Sequence, residues 1–344
     1  LPLTVGAKIA PLIGAAPGQV LCCDSVSVNL FKLLAAALTN RTGERTVILS
    51  EQDNFPSDLY IAKGLINLLQ EQGTSAELRL VSAENLEEGI AQSTDILLLT
   101  HVNFRTGAAH DMKRLTALAH DHDVPVIWDL SHSAGVMELA LDDCQVDFAV
   151  GCGYKFLNGG PGAPAFLYVA SRLQAKLQQP LQGWMGHRKP FAFEPEYAPD
   201  AGINQLQTGT PSILSMSALD AALSCFEGLT TVQLRKKSLA LSSMFLSLLE
   251  EDLTSESLTL VSPREPEQRG AQLSFSHSDA FPISQALIEA GVIVDFRAPN
   301  LIRLGFSPLF LSFHEVARGA AILRQILSEG RFRQERFSVR AKVT

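Results

Sequence analysis

The chain predicts an α/β fold with a mostly parallel sheet in a large domain, followed by a smaller α+β domain. Three observations carry this. Over the first two-thirds of the 344 residues, short apolar β-branched runs alternate with longer helical patterns. Those runs lack polar alternation, as expected of strands covered on both faces. After Thr210 the pattern changes to long helices followed by short paired strands. We therefore expect a large domain over 1–230 and a small domain with its linking helix over 231–344.

In order, strands are expected at 46–50, 77–81, 96–100, 124–130, 148–151 and 166–169. Helices are expected between them, notably at 56–72, where Pro56 suits the first turn, and at 111–122. Such strand–helix alternation gives right-handed parallel crossovers. In the second part, helices are expected at 212–227 and 231–251, and strands at 258–262, 272–277, 292–296 and 301–306. Pro299-Asn300 marks the turn between the last two. A helix at 313–327 opens with Ser312 and Glu315, a capping-box spacing. The segment 331–344 carries five basic side chains and reads as a solvated tail or edge.

Composition excludes several function classes. The net charge of −8 leaves no basic surplus to neutralise nucleic-acid phosphates. The five cysteines form no CxxC pair and no His/Cys ligand cluster, so reduced thiols in a cytoplasmic protein are expected and no metal site. No apolar run approaches the roughly 18–20 residues of a membrane span. The sequence starts at Leu1 rather than Met, so a preceding segment is expected.

The chemistry centres on Lys155, in the run Gly151-Cys-Gly-Tyr-Lys-Phe-Leu-Asn-Gly-Gly160. A lysine at a glycine-rich corner binds phosphate or acts as a Schiff-base amine. A P-loop would place the lysine after the glycines and open a helix; here the order is reversed and a strand follows. The dinucleotide fingerprint fails as well, since no helix opens after Gly153. A Schiff-base site needs an acid for a pyridinium nitrogen, an anion cradle and a stacking surface. Asp129 ends an apolar strand and would emerge at the carboxyl edge of the sheet, although a turn or helix-cap role fits it too. Asp24-Ser-Val-Ser27 begins a helix, either as an ordinary cap or as a phosphate cradle. Phe55 could stack on a flat ring or form a hydrophobic staple. Cys225 reads as a core residue within an apolar helix. Arg303, between Ile302 and Leu304, could face solvent or clamp a carboxylate.

Taken together, these segments resemble the kynureninases, pyridoxal-phosphate (PLP) enzymes of the fold-type I, aminotransferase-like group. The matching stretches are Ser25-Val-Ser-Val-Asn29, Phe55-Pro-Ser-Asp58, Thr100-His-Val-Asn-Phe-Arg-Thr-Gly107, Asp129-Leu-Ser-His-Ser-Ala-Gly135, Gly153-Tyr-Lys-Phe-Leu-Asn-Gly-Gly160, Gly183-Trp-Met-Gly-His187, Gly209-Thr-Pro211 and Arg297-Ala-Pro-Asn-Leu-Ile-Arg303. They span nearly the whole chain.

The resemblance implies hydrolysis of L-kynurenine, or of 3-hydroxykynurenine, to anthranilate and L-alanine. It implies that Lys155 carries the PLP, that Asp129 pairs with the ring nitrogen with His132 close by, and that Phe55, Pro56, Ser57, Asp58 and Thr100 surround the ring. Val26 and Ser27 would bind the phosphate, near Tyr154, which is also the candidate acid–base group. Trp184 and Thr210 would reach the neighbouring subunit's site in a homodimer, and Arg303 would hold the substrate α-carboxylate. Two departures stand out. The family's further N-terminal segment, with a Gly-Asn-Ser-type motif near the substrate, finds no match here. Threonine at 210, where some relatives have asparagine, favours kynurenine itself. The competing readings are another fold-type I lyase such as a cysteine desulfurase, for which a mobile catalytic cysteine is needed, and a non-catalytic PLP-fold dimer, for which Lys155, Asp129 or Arg303 should be lost.

Overall fold

A computed structural model describes residues 1–39, 45–254 and 258–339. It divides into two compact units. The first comprises 1–101 and 110–230; the second comprises 102–109 and 231–344.

The first unit is built on a seven-stranded sheet. Its strands are β1 (Val20–Cys22), β2 (Arg45–Glu51), β3 (Ser75–Val81), β4 (Ile96–Thr100), β5 (Val126–Asp129), β6 (Phe148–Cys152) and β7 (Ala165–Val169). Their order is β1-β7-β6-β5-β4-β2-β3. The pairs from β3 through β6 are parallel, whereas β7 is antiparallel to both β6 and β1. The mostly parallel sheet is thus present, closed at one side by two strands of mixed direction. β1 went unpredicted because three residues, squeezed between Gly18 and Asp24, are too few to show a period.

Both faces of the sheet are covered. On one, Leu30, Leu33 and Leu34 of helix Val26–Thr39 and Ala62, Leu65 and Ile66 of helix Pro56–Glu71 pack over Ile48, Leu98, Ile127, Val150 and Leu167. On the other, Trp128 is fully buried and donates its indole N–H to Thr116 Oγ1 at 3.1 Å, from helix Met112–Asp121. Parallel strands covered twice are apolar at successive positions, which is why the runs showed no alternation.

The parallel register fixes where chemistry sits. Thr100 pairs with Asp129, the last residues of β4 and β5, so two polar side chains end side by side at the carboxyl edge. Asp129 in turn faces Val150 of β6, and the glycine-rich corner begins at the end of that strand.

The second unit holds an antiparallel four-stranded sheet. It consists of β8 (Thr259–Leu260), β9 (Gln272–Ser276), β10 (Asp295–Arg297) and β11 (Leu301–Gly305) in the order β10-β11-β9-β8. Leu241 and Phe245 of helix Thr231–Leu248, Ile283 and Leu287 of helix Ala280–Glu289, and Leu323 of helix Phe313–Glu329 fill its core. The strand expected at 292–296 begins later, at Asp295. The Val292 N–H is taken by the Leu287 carbonyl at 2.8 Å, closing the preceding helix, so it is not free for a ladder. The segment after 331 is no solvated tail through residue 337: Phe332 and Phe337 enter the core. Residues 340–344 lie outside the described residues. The short excursion 102–109 joins this unit through an Ala108–Arg269 bridge and a Gly270 N–H bond to the Gly107 carbonyl at 2.8 Å.

The capping box is formed. Ser312 Oγ accepts from the Glu315 N–H at 3.2 Å, and Glu315 Oε2 accepts from the Ser312 N–H at 2.8 Å. Ser312→Ala should cost about 1 kcal/mol of this unit's stability, read as a lower denaturant midpoint with an unchanged slope, whereas Ser312→Asp should cost little.

Candidate active site

A cavity of about 740 Å³ opens in the first unit at the carboxyl edge of its sheet. Val26, Ser27, Phe55, Ser57, Asp58, Thr100, Asp129, His132, Tyr154, Lys155 and Thr210 all line it. Residues from six separated stretches of sequence are thereby brought to one place.

Lys155 reaches the cavity because the chain folds back on itself just after β6. The Gly153 N–H bonds the Pro164 carbonyl at 3.0 Å, and the Gly159 N–H bonds the Gly153 carbonyl at 2.9 Å. A Cβ at Gly153 would lie 2.4 Å from that Pro164 oxygen, so only glycine permits this close return. Lys155 Nζ then sits 3.1 Å from His132 Nε2 and 5.7 Å from the ring centres of both Phe55 and Tyr154. The amine thus lies within reach of two aromatic rings, which favour a cation beside their faces.

Two carboxyl groups lie below it. Asp129 is 3% exposed, and its Oδ1 accepts the Ser131 N–H at 2.7 Å. Asp58, 1% exposed, lies against it, in the first turn of helix Pro56–Glu71. Burial, and then the adjacent Asp129, holds the Asp58 carboxyl well above the ordinary carboxylate range, with Lys155 opposing. Asp58 Oδ2 is buried without a hydrogen-bond partner among the described residues. Two juxtaposed buried carboxyls with an orphaned oxygen suit a protonated heteroatom placed beside them.

The cavity also offers a place for an anion. Helices Val26–Thr39 and Pro56–Glu71 both start at its lining, and Ser27 Oγ lies 2.9 Å from Ser57 Oγ. Two hydroxyls with the positive ends of two helix dipoles favour phosphate or carboxylate.

Asn54 was missed by the sequence reading. It is 3% exposed, its Oδ1 takes the Phe55 N–H at 2.6 Å and pairs with the Thr100 hydroxyl, and its Nδ2 donates to Ser50 Oγ at 2.8 Å. It fixes both Phe55 and Thr100. The available signal was an amide just ahead of Phe-Pro, a position from which side chains bind nearby backbone.

Three expected residues are not brought into this cavity. Pro56 does not line it; its fixed φ starts the helix that carries Ser57 and Asp58. Trp184, 39% exposed, stacks on Phe193 at 6.3 Å and meets Phe191 edge-on at 5.6 Å, beside a second hollow of about 420 Å³ in the same unit. Its turn is pressed against the segment that carries Thr208 and Thr210: a Cβ at Gly183 would lie 2.0 Å from the Thr208 oxygen, which also accepts the Met185 N–H at 3.3 Å. Arg303 belongs to the second unit and is 8% exposed, so alternation does not turn it to solvent. It donates to the Phe104 carbonyl at 2.6 Å and pairs with Asp295; burial pushes its pKa down, with Asp295 opposing.

Tyr154 is 48% exposed, and burial followed by Cys152 pushes its phenol up to about 12. Burial also raises the pKa of the Cys152 thiol, which donates to the Ser131 carbonyl at 3.7 Å, so burial disfavours the thiolate there. Cys225 is exposed, contrary to the core placement expected of it, because Phe226 takes the buried position of that turn. Among the described residues no three His, Cys, Asp or Glu side chains converge as a metal site. No single described helix is long and apolar enough to cross a membrane.

Comparison with known proteins agrees with this geometry. The family model of the kynureninase C-terminal domain matches residues 234–323. The chain is 46% identical to a kynureninase of Pseudomonas fluorescens over 344 residues, covering 99% of this chain and 82% of the relative. It is 45% identical to a kynureninase of Burkholderia pseudomallei over 348 residues, covering 100% of this chain and 83% of the relative. Among solved structures, the apo cysteine desulfurase of Thermococcus onnurineus superposes with a TM-score of 0.80 at 18% identity, covering 95% of this chain and 84% of that one. A C-DES mutant with glycine covalently linked to its PLP cofactor gives 0.76 at 18% identity, covering 92% and 85%. At such identities the structural likeness establishes the fold, the PLP fold-type I architecture expected from the sequence.

Proposed function

The chain belongs to the kynureninase family, and from that premise we propose that it hydrolyses L-kynurenine to anthranilate and L-alanine with PLP as cofactor. One observation carries this reading for the chain's own residues: Lys155, the Asp58–Asp129 pair and two helix N-termini converge on a single cavity.

The residues present fit PLP. The orphaned Asp58 Oδ2 and the Asp129 carboxylate suit a protonated ring nitrogen, and the Ser27–Ser57 end suits the phosphate. Bound there, PLP supplies an electron sink for negative charge at the substrate Cα.

The remaining work falls to side chains. Lys155 would hold the cofactor through its amine, and the same amine, when free, would take the substrate Cα proton; His132 Nε2, at 3.1 Å, is placed to orient it. Asp129 keeps the ring nitrogen protonated. Phe55 covers a face of the ring, and Thr100, fixed by Asn54, borders it. Val26 contributes a backbone N–H and Ser27 its hydroxyl to the phosphate. Tyr154, with its phenol pushed up to about 12, is protonated at neutral pH and serves as a proton donor when the Cβ–Cγ bond breaks. Water is consumed at the Cγ carbonyl, so the atoms of kynurenine and water balance those of anthranilate and alanine. Arg303 is assigned the substrate α-carboxylate, for which the planar donor fork of a guanidinium is suited. The first unit is assigned cofactor binding, and the enzyme is assigned to the cytoplasm. Trp184 and Thr210 are assigned to the neighbouring subunit's site in a homodimer; the exposed stack of Trp184 on Phe193 supports this. Threonine at 210 favours kynurenine over its 3-hydroxy derivative.

The test is direct. Protein supplied with PLP and L-kynurenine should release anthranilate, followed by its fluorescence. Protein that binds PLP yet forms no anthranilate would sink the proposal. A desulfurase reading would require sulfur release from cysteine, and the buried, neutral Cys152 argues against it.

A further inference from the structure

Helix Val26–Thr39 carries a lysine that the proposed chemistry leaves unused. Lys32 is fully buried, 0% exposed. Its Nζ lies 2.5 Å from Asp24 Oδ2 and 2.6 Å from the Leu206 carbonyl oxygen. An ammonium taken out of water is costly unless it is paired and hydrogen-bonded, so this contact is specified rather than incidental.

The partner is what makes it informative. Asp24 lines the cavity next to Ser25, Val26 and Ser27, just ahead of the helix whose start is read as the phosphate cradle. Its backbone is held at φ 49°, a conformation uncommon for a residue with a side chain. A carboxylate at the mouth of an anion cradle repels the anion the cradle is built for. Lys32 cancels that charge from the buried side. Its second bond, to Leu206, anchors the stretch of chain that leads to Thr208, Gly209 and Thr210, which also line the cavity.

We propose that Lys32 is a positioning residue that sets the charge of the phosphate cradle, neutralising Asp24 and tying it, just ahead of helix Val26–Thr39, to Leu206. This rests on the reading that the cavity takes the phosphate of PLP. Lys32 acts through Asp24 and touches neither substrate nor cofactor.

The experiment measures binding to the cofactor-free protein of three probes: PLP, pyridoxal and inorganic phosphate, the last by thermal shift. A unit of charge across a few ångströms of partly wet protein corresponds to about tenfold in affinity. Lys32→Met should therefore weaken PLP and inorganic phosphate by about tenfold and leave pyridoxal, which has no phosphate, within about twofold. Asp24→Asn alone should tighten both phosphate-bearing probes. The double variant Lys32→Met with Asp24→Asn should return to within about threefold of the unsubstituted protein, because the charge it lacks no longer needs cancelling. Equal loss of PLP and pyridoxal in Lys32→Met, or a double variant as weak as Lys32→Met, overturns the proposal. Should Lys32→Met not fold, Asp24→Asn decides alone, and unchanged or weaker phosphate binding overturns it. If the unsubstituted protein binds neither PLP nor phosphate, the cofactor reading itself falls, and this inference with it.

Discussion

Lys155→Ala should abolish kynurenine turnover, by about 10⁴-fold or more, and remove the visible absorbance of the bound cofactor while leaving the fold intact. Two losses combine. The amine is the covalent anchor for the cofactor, and it is the proposed base for the Cα proton, a role worth about 10²–10⁴ by itself. The fold should survive because the corner is held by backbone bonds between Gly153, Gly159 and Pro164 rather than by the lysine side chain. Circular dichroism and melting separate the two effects. Exogenous small amines should restore part of the rate, since the His132 imidazole that faces the ammonium is still in place. A variant that stays coloured and active would refute the assignment of Lys155.

Asp129→Asn should cut turnover by about 10³-fold, the scale seen when a preorganised electrostatic partner is removed from a reacting centre. An amide cannot keep a ring nitrogen protonated. The same substitution should stabilise the cofactor-free protein at neutral pH. Asp58 is the group to follow: its folded carboxyl titrates well above its ordinary value, chiefly through burial and then through Asp129. A carboxyl raised in this way contributes stability that is fully present below the ordinary carboxylate range and is lost as pH rises from that range through the raised folded value. Melting temperatures of the cofactor-free protein should thus fall from acid toward neutral pH, and fall less in Asp129→Asn, where one of the two repelling charges is gone. Identical pH profiles would show that the carboxyl pair is not coupled. Added PLP should reverse the order, stabilising the unsubstituted protein more than the variant.

Much of this site was legible in the sequence because each residue type was tied to a local signal. Lys155 stood among glycines, Asp129 ended an apolar run, and Ser27 and Asp58 stood at helix starts. Residues whose role depends on contacts distant in sequence were less legible. Lys32 sits on a helix face like any amphipathic lysine, and only the fold shows it fully buried between Asp24 and Leu206. Asn54 stands just ahead of a helix start, and its bond to Thr100 joins residues 46 positions apart in sequence. The excursion 102–109 left no mark either: it offers backbone carbonyls, which every sequence possesses, to the Gly270 N–H and to the Gln272 side-chain amide. Arg303 was placed in a strand correctly, but alternation alone could not tell which face was covered.

The turn at Gly183 has a consequence for how this protein can vary. Its backbone touches that of Thr208 so closely that no side chain fits between them. The turn that carries Trp184 and the segment that runs on to Thr210 therefore meet backbone to backbone, and a side chain added at 183 has to displace one of them. Exchange of this glycine is thus felt at two places at once, at the exposed ring of Trp184 and at the wall that carries Thr210.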